Sequence, residues 1–185
     1  MRLFVAVSLP AAQVRAIEAA VQPRDELLRW VPVHQWHLTL VFCGEVSDGV
    51  VPELMQRLAR GAARTPRFDL RVTGAGSFPK QAARARVLWA GLSGDVETLT
   101  RLAERCAAAA RRSGIAIEDR AYRPHLTLAR ARRDTVDVRS TVQRLSSYTG
   151  DPWRVDSIRL VRSTLGAQVQ HETLAEFPLA EGAPA

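Results

Sequence analysis

Hydrophobic and polar residues alternate in several short stretches of this chain, and stretches with helical spacing separate them. Alternation with a period of two is typical of strands with one buried face, whereas apolar residues at i, i+3, i+4 and i+7 indicate amphipathic helices. The segments predicted as strands are 2–9, 36–42, 67–73, 86–91, 122–129, 155–165 and 171–179. The segments predicted as helices are 11–29 (interrupted at Pro23), 47–63, 95–114 and 136–145, with turns at 74–76 and 166–168.

The order of these elements repeats loosely, with strand, helix, strand, helix and further strands in each half. This order predicts an α+β fold of two similar lobes, each of which supplies one strand to a shared groove. The 185 residues suit one domain. We expect that domain to span residues 1–180, followed by a flexible tail at 181–185.

One four-residue sequence motif, or word, occurs twice in this pattern. His37-Leu38-Thr39-Leu40 recurs as His125-Leu126-Thr127-Leu128, 88 positions later (125 minus 37). Because residues i and i+2 of a strand point to the same face, each word presents a histidine and a threonine on one face and two leucines on the other. We expect the leucines to lie in the core and the two His/Thr pairs to face each other across the groove.

A third stretch, His171-Glu172-Thr173-Leu174, also fits the pattern His-x-Thr-Leu. Glu172 stands where the other two copies have leucine, so the second position does not suit a buried face. We therefore predict an edge strand with a surface histidine that lies outside the functional site.

The chain is strongly basic, with a net charge of +7 and almost all of its cations arginine. Arginine binds phosphate through a planar fork, so this balance fits RNA as a partner, although GC-rich coding would also enrich arginine. Cys43 and Cys106 lack metal-site spacing and are expected to be buried thiols in a reducing compartment. With neither a signal peptide nor a membrane span in the sequence, we expect a cytoplasmic monomer that does not bind membranes.

A histidine pair can supply a general base and a general acid near neutral pH. Such a pair can hydrolyse a 2',3'-cyclic phosphate without a metal, while Thr39 and Thr127 hydrogen-bond the phosphate oxygens. Strict alternation places Arg130 on the face opposite to Thr127, so only a bulge or the strand end would turn it inward. The alternative is that Arg130 is a solvated cation at the end of the strand.

Other chemistries lack their sequence signals. His34 and His37 are not accompanied by the carboxylate or cysteine ligands of a metal site, and there is no Gly-x-Ser-x-Gly elbow. Phosphate-binding glycine loops are absent from the sequence as well. We expect neither a metal nor a cofactor.

Four segments resemble the two-histidine phosphoesterases, most closely the RNA 2',3'-cyclic phosphodiesterases first named 2'-5' RNA ligases. The segments are Arg2–Pro10, Trp36–Glu45, Arg86–Gly91 and Tyr122–Arg130, and the closing strands are also similar. The resemblance covers nearly the whole chain and implies antiparallel sheets flanking a central groove. Cys43 stands where the family more usually has leucine.

The resemblance implies hydrolysis of cyclic phosphate ends of RNA to 2'-phosphates, with ATP-independent 2'-5' ligation as the reverse reaction. His37 would be the general acid and His125 the general base, although sequence alone allows the opposite assignment. Thr39, Thr127 and Arg130 would hold the phosphate. Two alternatives stay open, namely a non-catalytic RNA- or nucleotide-binding module and a phosphodiesterase for small cyclic nucleotides.

Overall fold

The computed structural model describes residues 1–166 and 169–181 of the chain. The strands are β1 (Arg2–Ser8), β2 (Leu28–Trp30), β3 (His37–Glu45), β4 (Phe68–Phe78), β5 (Val87–Gly94), β6 (Leu126–Ala131), β7 (Trp153–Val155), β8 (Ser157–Thr164) and β9 (Gln170–Pro178). The helices are α1 (Ala11–Ala20), α2 (Val51–Ala62), α3 (Val96–Arg112) and α4 (Arg139–Leu145). None of these helices is long and apolar enough to cross a membrane.

The strands form one sheet in the order β7-β4-β5-β6-β3-β1-β8-β9, and β2 also pairs with β6. All pairings between these strands are antiparallel. Strands β3 and β6 are joined only through Leu38 and Leu126. This narrow junction divides the sheet into a half of five strands (β7, β4, β5, β6 and β2) and a half of four (β3, β1, β8 and β9). The predicted α+β fold with two similar antiparallel lobes is confirmed, and the two motif strands lie side by side at the junction.

The helices pack on one face of this sheet. Helices α2 and α3 pack on each other, α3 packs against β3, and α4 packs against β4. Helix α3 begins where predicted, because the carboxylate of Asp95 accepts hydrogen bonds from the backbone N–H (3.0 Å) and the hydroxyl (2.7 Å) of Thr98. No helix of the described residues packs on the opposite face of the central strands, and this face carries the candidate site.

Two predicted elements were wrong. The helix expected over residues 11–29 ends at Ala20, and Leu28–Trp30 form β2 instead, because their backbone pairs with β6. The turn expected at 74–76 lies inside β4, where a register shift between Thr73 and Ala75 accommodates Gly74 at a φ of 60°. Ala167 and Gln168 of the other predicted turn, and residues 182–185 of the predicted tail, lie outside the described residues.

Candidate active site

The two repeated words occupy neighbouring positions at the junction of the lobes. Leu38 and Leu126 are direct partners in the antiparallel pairing. Continued by one residue on each side, this register sets His37 opposite Thr127 and Thr39 opposite His125. Their four side chains are partly exposed, whereas the four leucines of the words are buried. The structure thus brings two His/Thr pairs together on the uncovered face of the sheet.

Backbone contacts determine the tautomer of His37. Its Nδ1 lies 2.7 Å from the carbonyl oxygen of Gln35, which can only accept, so Nδ1 carries the proton in the neutral ring. Its Nε2 then accepts a hydrogen bond from the Thr39 hydroxyl at 3.0 Å. In the free protein, threonine therefore occupies the nitrogen that would exchange a proton with a substrate.

His125 is held in the same way. Its Nδ1 lies 2.7 Å from the carbonyl oxygen of Arg123, again two residues upstream, so Nδ1 is the donor here too. This leaves Nε2 of His125 as the nitrogen for proton transfer. Both imidazoles therefore present the same atom for chemistry, which a pair of acid–base residues requires.

Both imidazoles are biased toward the neutral form. Burial, together with the smaller effects of the charges of His171 and His125, lowers the pKa of His37 to about 4, although its bond to Gln35 opposes this shift. Burial also lowers the pKa of His125, and the bond to Arg123 opposes this shift. The nearby cations Arg130 and Arg120 lower the His125 pKa as well. A negatively charged ligand between the rings would favour protonation of either one.

A β-bulge in each motif strand changes which side chains face the site. In β3, Val41 pairs with Val5 and Thr39 with Ala6, so Leu40 is an extra residue. In β6, Ala129 pairs with Leu88 and Thr127 with Trp89, so Leu128 is the equivalent extra residue. Each bulge puts two consecutive residues on the core side and returns the next one to the face that carries histidine and threonine.

The residues returned to this face are Phe42 and Arg130, five positions after the two histidines. Arg130 is exposed and lies close enough to His125 for its charge to lower the pKa of that ring. It also pairs across strands with Arg29 of β2. The bulge that Arg130 requires to reach the site is thus present in the structure.

A phenylalanine ring backs each histidine. Phe4 stacks on His37, with ring centroids 4.8 Å apart and an interplanar angle of 27°. Phe78 meets His125 edge-on at 5.0 Å, and the ring of Trp89 lies 6.5 Å from it. These contacts restrict the imidazoles to one orientation and exclude water from one side of each ring.

His171 differs from its prediction. It lies on the edge strand β9 as expected, but its ring lies 5.4 Å from that of His37 and 5.0 Å from that of Phe4. Two strands separate β3 from β9, and in a flat sheet this would place their backbones roughly 14 Å apart. The ring contacts therefore show that the sheet curls over its uncovered face and forms a groove, with His171 on its wall. Curling depends on the whole sheet, and the local pattern of residues 171–174 carries no signal for it.

The described residues contain no group of three or more His, Cys, Asp or Glu side chains arranged to hold a metal ion. The imidazoles of His37 and His171 meet edge to face instead of converging on a common point. The groove presents two imidazoles and the hydroxyl of Thr39 as groups for proton transfer and hydrogen bonding.

The fold and the paired words are those of the two-histidine phosphoesterases, and comparison with known proteins defines the family. The model of the 2'-5' RNA ligase superfamily matches residues 7–167. The chain belongs to this superfamily.

Curated relatives align over most of the chain. It is 34% identical over 174 residues to the RNA 2',3'-cyclic phosphodiesterase of Thermus thermophilus, covering 89% of this chain and 83% of the relative. It is 29% identical over 184 residues to the Geobacillus stearothermophilus protein of the same name, covering 98% of this chain. The match spans only 58% of the Geobacillus protein.

Solved structures show the same architecture. The crystal structure of TT0787 from Thermus thermophilus superposes with a TM-score of 0.80 and 30% identity, covering 99% of this chain and 100% of that one. Escherichia coli LigT complexed with 3'-AMP superposes with a TM-score of 0.77 and 28% identity, covering 97% and 98%. The two-lobed sheet is thus shared over nearly its full extent.

Proposed function

We propose that the protein hydrolyses 2',3'-cyclic phosphate ends of RNA to 2'-phosphates by metal-independent acid–base catalysis. The observation that carries this proposal is the pair of His/Thr words on one groove face, with both Nδ1 atoms engaged by backbone carbonyls. The curated relatives named as RNA 2',3'-cyclic phosphodiesterases support it.

In the proposed reaction, Nε2 of His125 takes a proton from water as the water oxygen attacks phosphorus. The bond between phosphorus and O3' breaks, and O3' takes the proton carried by Nε2 of His37. The product is a 2'-phosphate with a free 3'-hydroxyl, and the two histidines have exchanged protonation states. Burial keeps His37 neutral in the free protein, and the anionic phosphate favours the protonated ring that a general acid requires.

The remaining groups act on the phosphate. The Thr39 hydroxyl leaves Nε2 of His37 and donates to a non-bridging oxygen, as does the hydroxyl of Thr127. Arg130 balances the negative charge that grows on the phosphoryl oxygens in the transition state. Removal of one such donor typically costs about 100-fold or more in rate.

RNA is the proposed substrate because the protein is basic and the groove is open. The structural relative LigT of E. coli binds 3'-AMP. The phosphate of this nucleotide is attached to O3', which is one of the two ribose oxygens of a 2',3'-cyclic phosphate. The same two histidines can run the reaction in reverse, so that a 5'-hydroxyl attacks the cyclic phosphate and forms a 2'-5' bond without ATP.

The test is incubation of a short RNA ending in a 2',3'-cyclic phosphate with the protein in EDTA, with 2'- and 3'-phosphate products resolved. We expect 2'-phosphate from the wild type and a loss of rate of orders of magnitude in His37→Ala and His125→Ala. His34→Ala, an exposed histidine outside the two words, is the matched control. RNA binding without turnover would favour a binding module, and turnover of mononucleotides alone would favour a small cyclic nucleotide as substrate.

We propose further that residues 1–180 act as one unit, as a monomer in the cytoplasm. Both cysteines are buried free thiols, which suits a reducing compartment. Light scattering at two protein concentrations tests the monomer, and fractionation of cells tests the location.

A further inference from the structure

Six cations surround one end of the second lobe, the half of the sheet that holds His125. They come from β2, from the loop between β4 and β5, and from the end of β6 and the residues that follow it. All six side chains are exposed, and within the described residues none of them forms an ion pair with a carboxylate. We call this surface the basic end, and it consists of Arg29, Lys80, Arg84, Arg86, Arg130 and Arg133.

Backbone hydrogen bonds join the three segments of the basic end into one surface. The carbonyl oxygen of Arg86 accepts a hydrogen bond of 2.9 Å from the backbone N–H of Ala131, which connects the β4–β5 loop to the end of β6. Arg29 and Arg130 are direct partners in the pairing of β2 with β6, so their side chains leave the sheet on the same face. The basic end therefore continues from Arg130, next to His125, away from the reacting groups.

The outer strands of the first lobe carry arginines too, but there the charges are compensated. Arg159 of β8 lies 3.3 Å from the carboxylate of Glu176 on β9, and Arg162 pairs with Glu172 on the same two strands. An enrichment of arginine through base composition alone does not determine which arginines have an acidic partner. The two lobes thus differ in local charge, and the basic end presents its positive charge to solvent.

The chemistry of the basic end fits a chain of phosphates. Like charges directly opposite each other on neighbouring strands, such as those of Arg29 and Arg130, repel unless an anion lies between them. Arginine and lysine side chains only donate hydrogen bonds, so the ligand must supply acceptors. The six cations are spread over three segments instead of converging on one point, which suits successive phosphodiester groups better than a single small anion.

We propose that the RNA upstream of the reacting end lies along the basic end, where its phosphodiester groups bind first to Arg29 and then to Lys80, Arg84 and Arg86. This assignment rests on the proposed function, in which Arg130 holds the reacting phosphate. The basic end makes affinity depend on the length of the RNA, while the chemistry at the cyclic phosphate is the same for every length. Its contacts are to phosphates, which carry no sequence information, so this surface accepts any sequence.

The experiment compares a dinucleotide with an RNA of about ten nucleotides, both ending in the same 2',3'-cyclic phosphate. The test variant combines Lys80→Ala, Arg84→Ala and Arg86→Ala. On the longer RNA it should lower kcat/KM about 10- to 100-fold at about 50 mM salt, mainly through KM. The slope of log KM against log salt should fall by about two, because each phosphate contact of a single strand contributes about 0.7. Hydrolysis of the dinucleotide should not change, because the dinucleotide does not reach the β4–β5 loop.

A control variant replaces three surface arginines that already have acidic partners by alanine. The three are Arg57, Arg101 and Arg154, which pair with Glu53, Glu97 and Asp69. Each triple variant removes three positive charges and so changes the net charge from +7 to +4. The control variant should retain most of the wild-type kcat/KM on the longer RNA. An equal loss in both triple variants would show that only the net charge matters, and would overturn the proposal.

An RNA with an uncharged backbone separates phosphate binding from an indirect effect on the catalytic groups. Methylphosphonates in place of the internal phosphodiesters of the longer RNA should lower its kcat/KM with the wild type to that of the dinucleotide. On this RNA the test variant should equal the wild type, because the charges that its side chains would bind are already missing. If the test variant is still impaired, the three residues act through the fold and the proposal is wrong. Thermal unfolding of each variant verifies that the fold is intact.

Failure of this proposal and failure of the proposed function give different results. If the wild type hydrolyses the dinucleotide and the longer RNA with equal kcat/KM and equal salt slopes, the basic end is wrong and the hydrolase proposal stands. If the wild type hydrolyses neither RNA, the proposed function itself is wrong. Fluorescence anisotropy with the labelled longer RNA then tests the surface independently of turnover. Weaker binding by the test variant than by the control variant would support the basic end, and equal binding would exclude it.

Discussion

At the scale of single residues, the hydrogen bond from each Nδ1 to a backbone carbonyl determines which ring nitrogen is available for proton transfer. The carbonyls of Gln35 and Arg123 lie in equivalent positions, so both rings exchange protons with a substrate through Nε2. The two histidines are therefore alike in geometry, and only their surroundings differ. Their roles can be separated by changing the leaving group, since only the acid interacts with it.

We predict that His37→Ala is rescued by a substrate with sulfur in place of O3'. A thiolate leaves without protonation, so the loss of the general acid, worth about 100- to 10,000-fold on the oxygen substrate, should shrink to roughly tenfold or less. His125→Ala should stay impaired on both substrates, because water still needs a base. Rescue of His125→Ala instead of His37→Ala would reverse the assignment. Single-turnover rates on the two substrates provide the measurement.

The lowered pKa of His37 also predicts how stability depends on pH. Between pH 6.5 and about 4 the unfolded chain binds a proton at His37 that the folded protein does not, so the free energy of unfolding falls as pH falls through this range. After discounting for the partial exposure of the ring, we expect a loss on the order of 1–2 kcal/mol.

Urea denaturation of the wild type and of His37→Gln at pH 7 and pH 4.5 measures this effect. The wild type should lose more stability than the variant between the two pH values. Burial lowers the pKa of His125 and His171 too, so a smaller decline remains in the variant. Equal declines in the two proteins would show that His37 is not held in its neutral form.

At the scale of elements, the bulges in β3 and β6 decide the composition of the groove. The sequence predicted both motif strands and the burial of their leucines from alternation alone. It could not place Arg130, because the face of a residue beyond a bulge depends on the register with the neighbouring strand. The same holds for Phe42, whose position at the site became visible only through the pairing of β3 with β1.

Other elements show the same limit. The three residues of β2 follow a helical pattern of apolar residues. They form a strand only because their backbone pairs with that of β6. His171 reaches His37 through the curl of the sheet, which arises from many strands together. Local patterns therefore predicted the elements that carry the chemistry, while long-range pairing determined which additional side chains join them.

The capped helix α3 allows an element-scale prediction. Asp95→Ala removes the hydrogen bonds to the backbone and hydroxyl of Thr98, and should lower the free energy of unfolding by about 1 kcal/mol. Activity at low temperature should not change, because α3 packs on the face opposite to the groove. Asp95→Asn, which retains a capping oxygen, should lose less. Urea midpoints of the three proteins measure the difference in stability. A lower kcat of folded Asp95→Ala at saturating substrate would contradict the expectation that its activity does not change.

At the scale of the whole molecule, the charge of +7 predicts sensitivity to salt. The KM for an RNA oligomer should rise with salt between about 50 and 200 mM more steeply than the KM for a mononucleoside cyclic phosphate, because more phosphates displace counterions. Arg29→Ala should reduce the slope for the oligomer only. Arg57→Ala is the matched control, since Arg57 already pairs with Glu53 on α2. Identical slopes for the two substrates would mean that only the reacting phosphate is bound.

The order of strands in the sheet has a consequence for how the protein is made. Strand β1 lies between β3 and β8, yet about 150 residues of chain separate it from β8. The first lobe, which holds His37, therefore keeps an unpaired edge on β1 until β8 and β9 have been synthesised. His171 arrives with β9. An enzyme that acts on RNA would thus complete its groove only after β9 has left the ribosome, which is itself made largely of RNA.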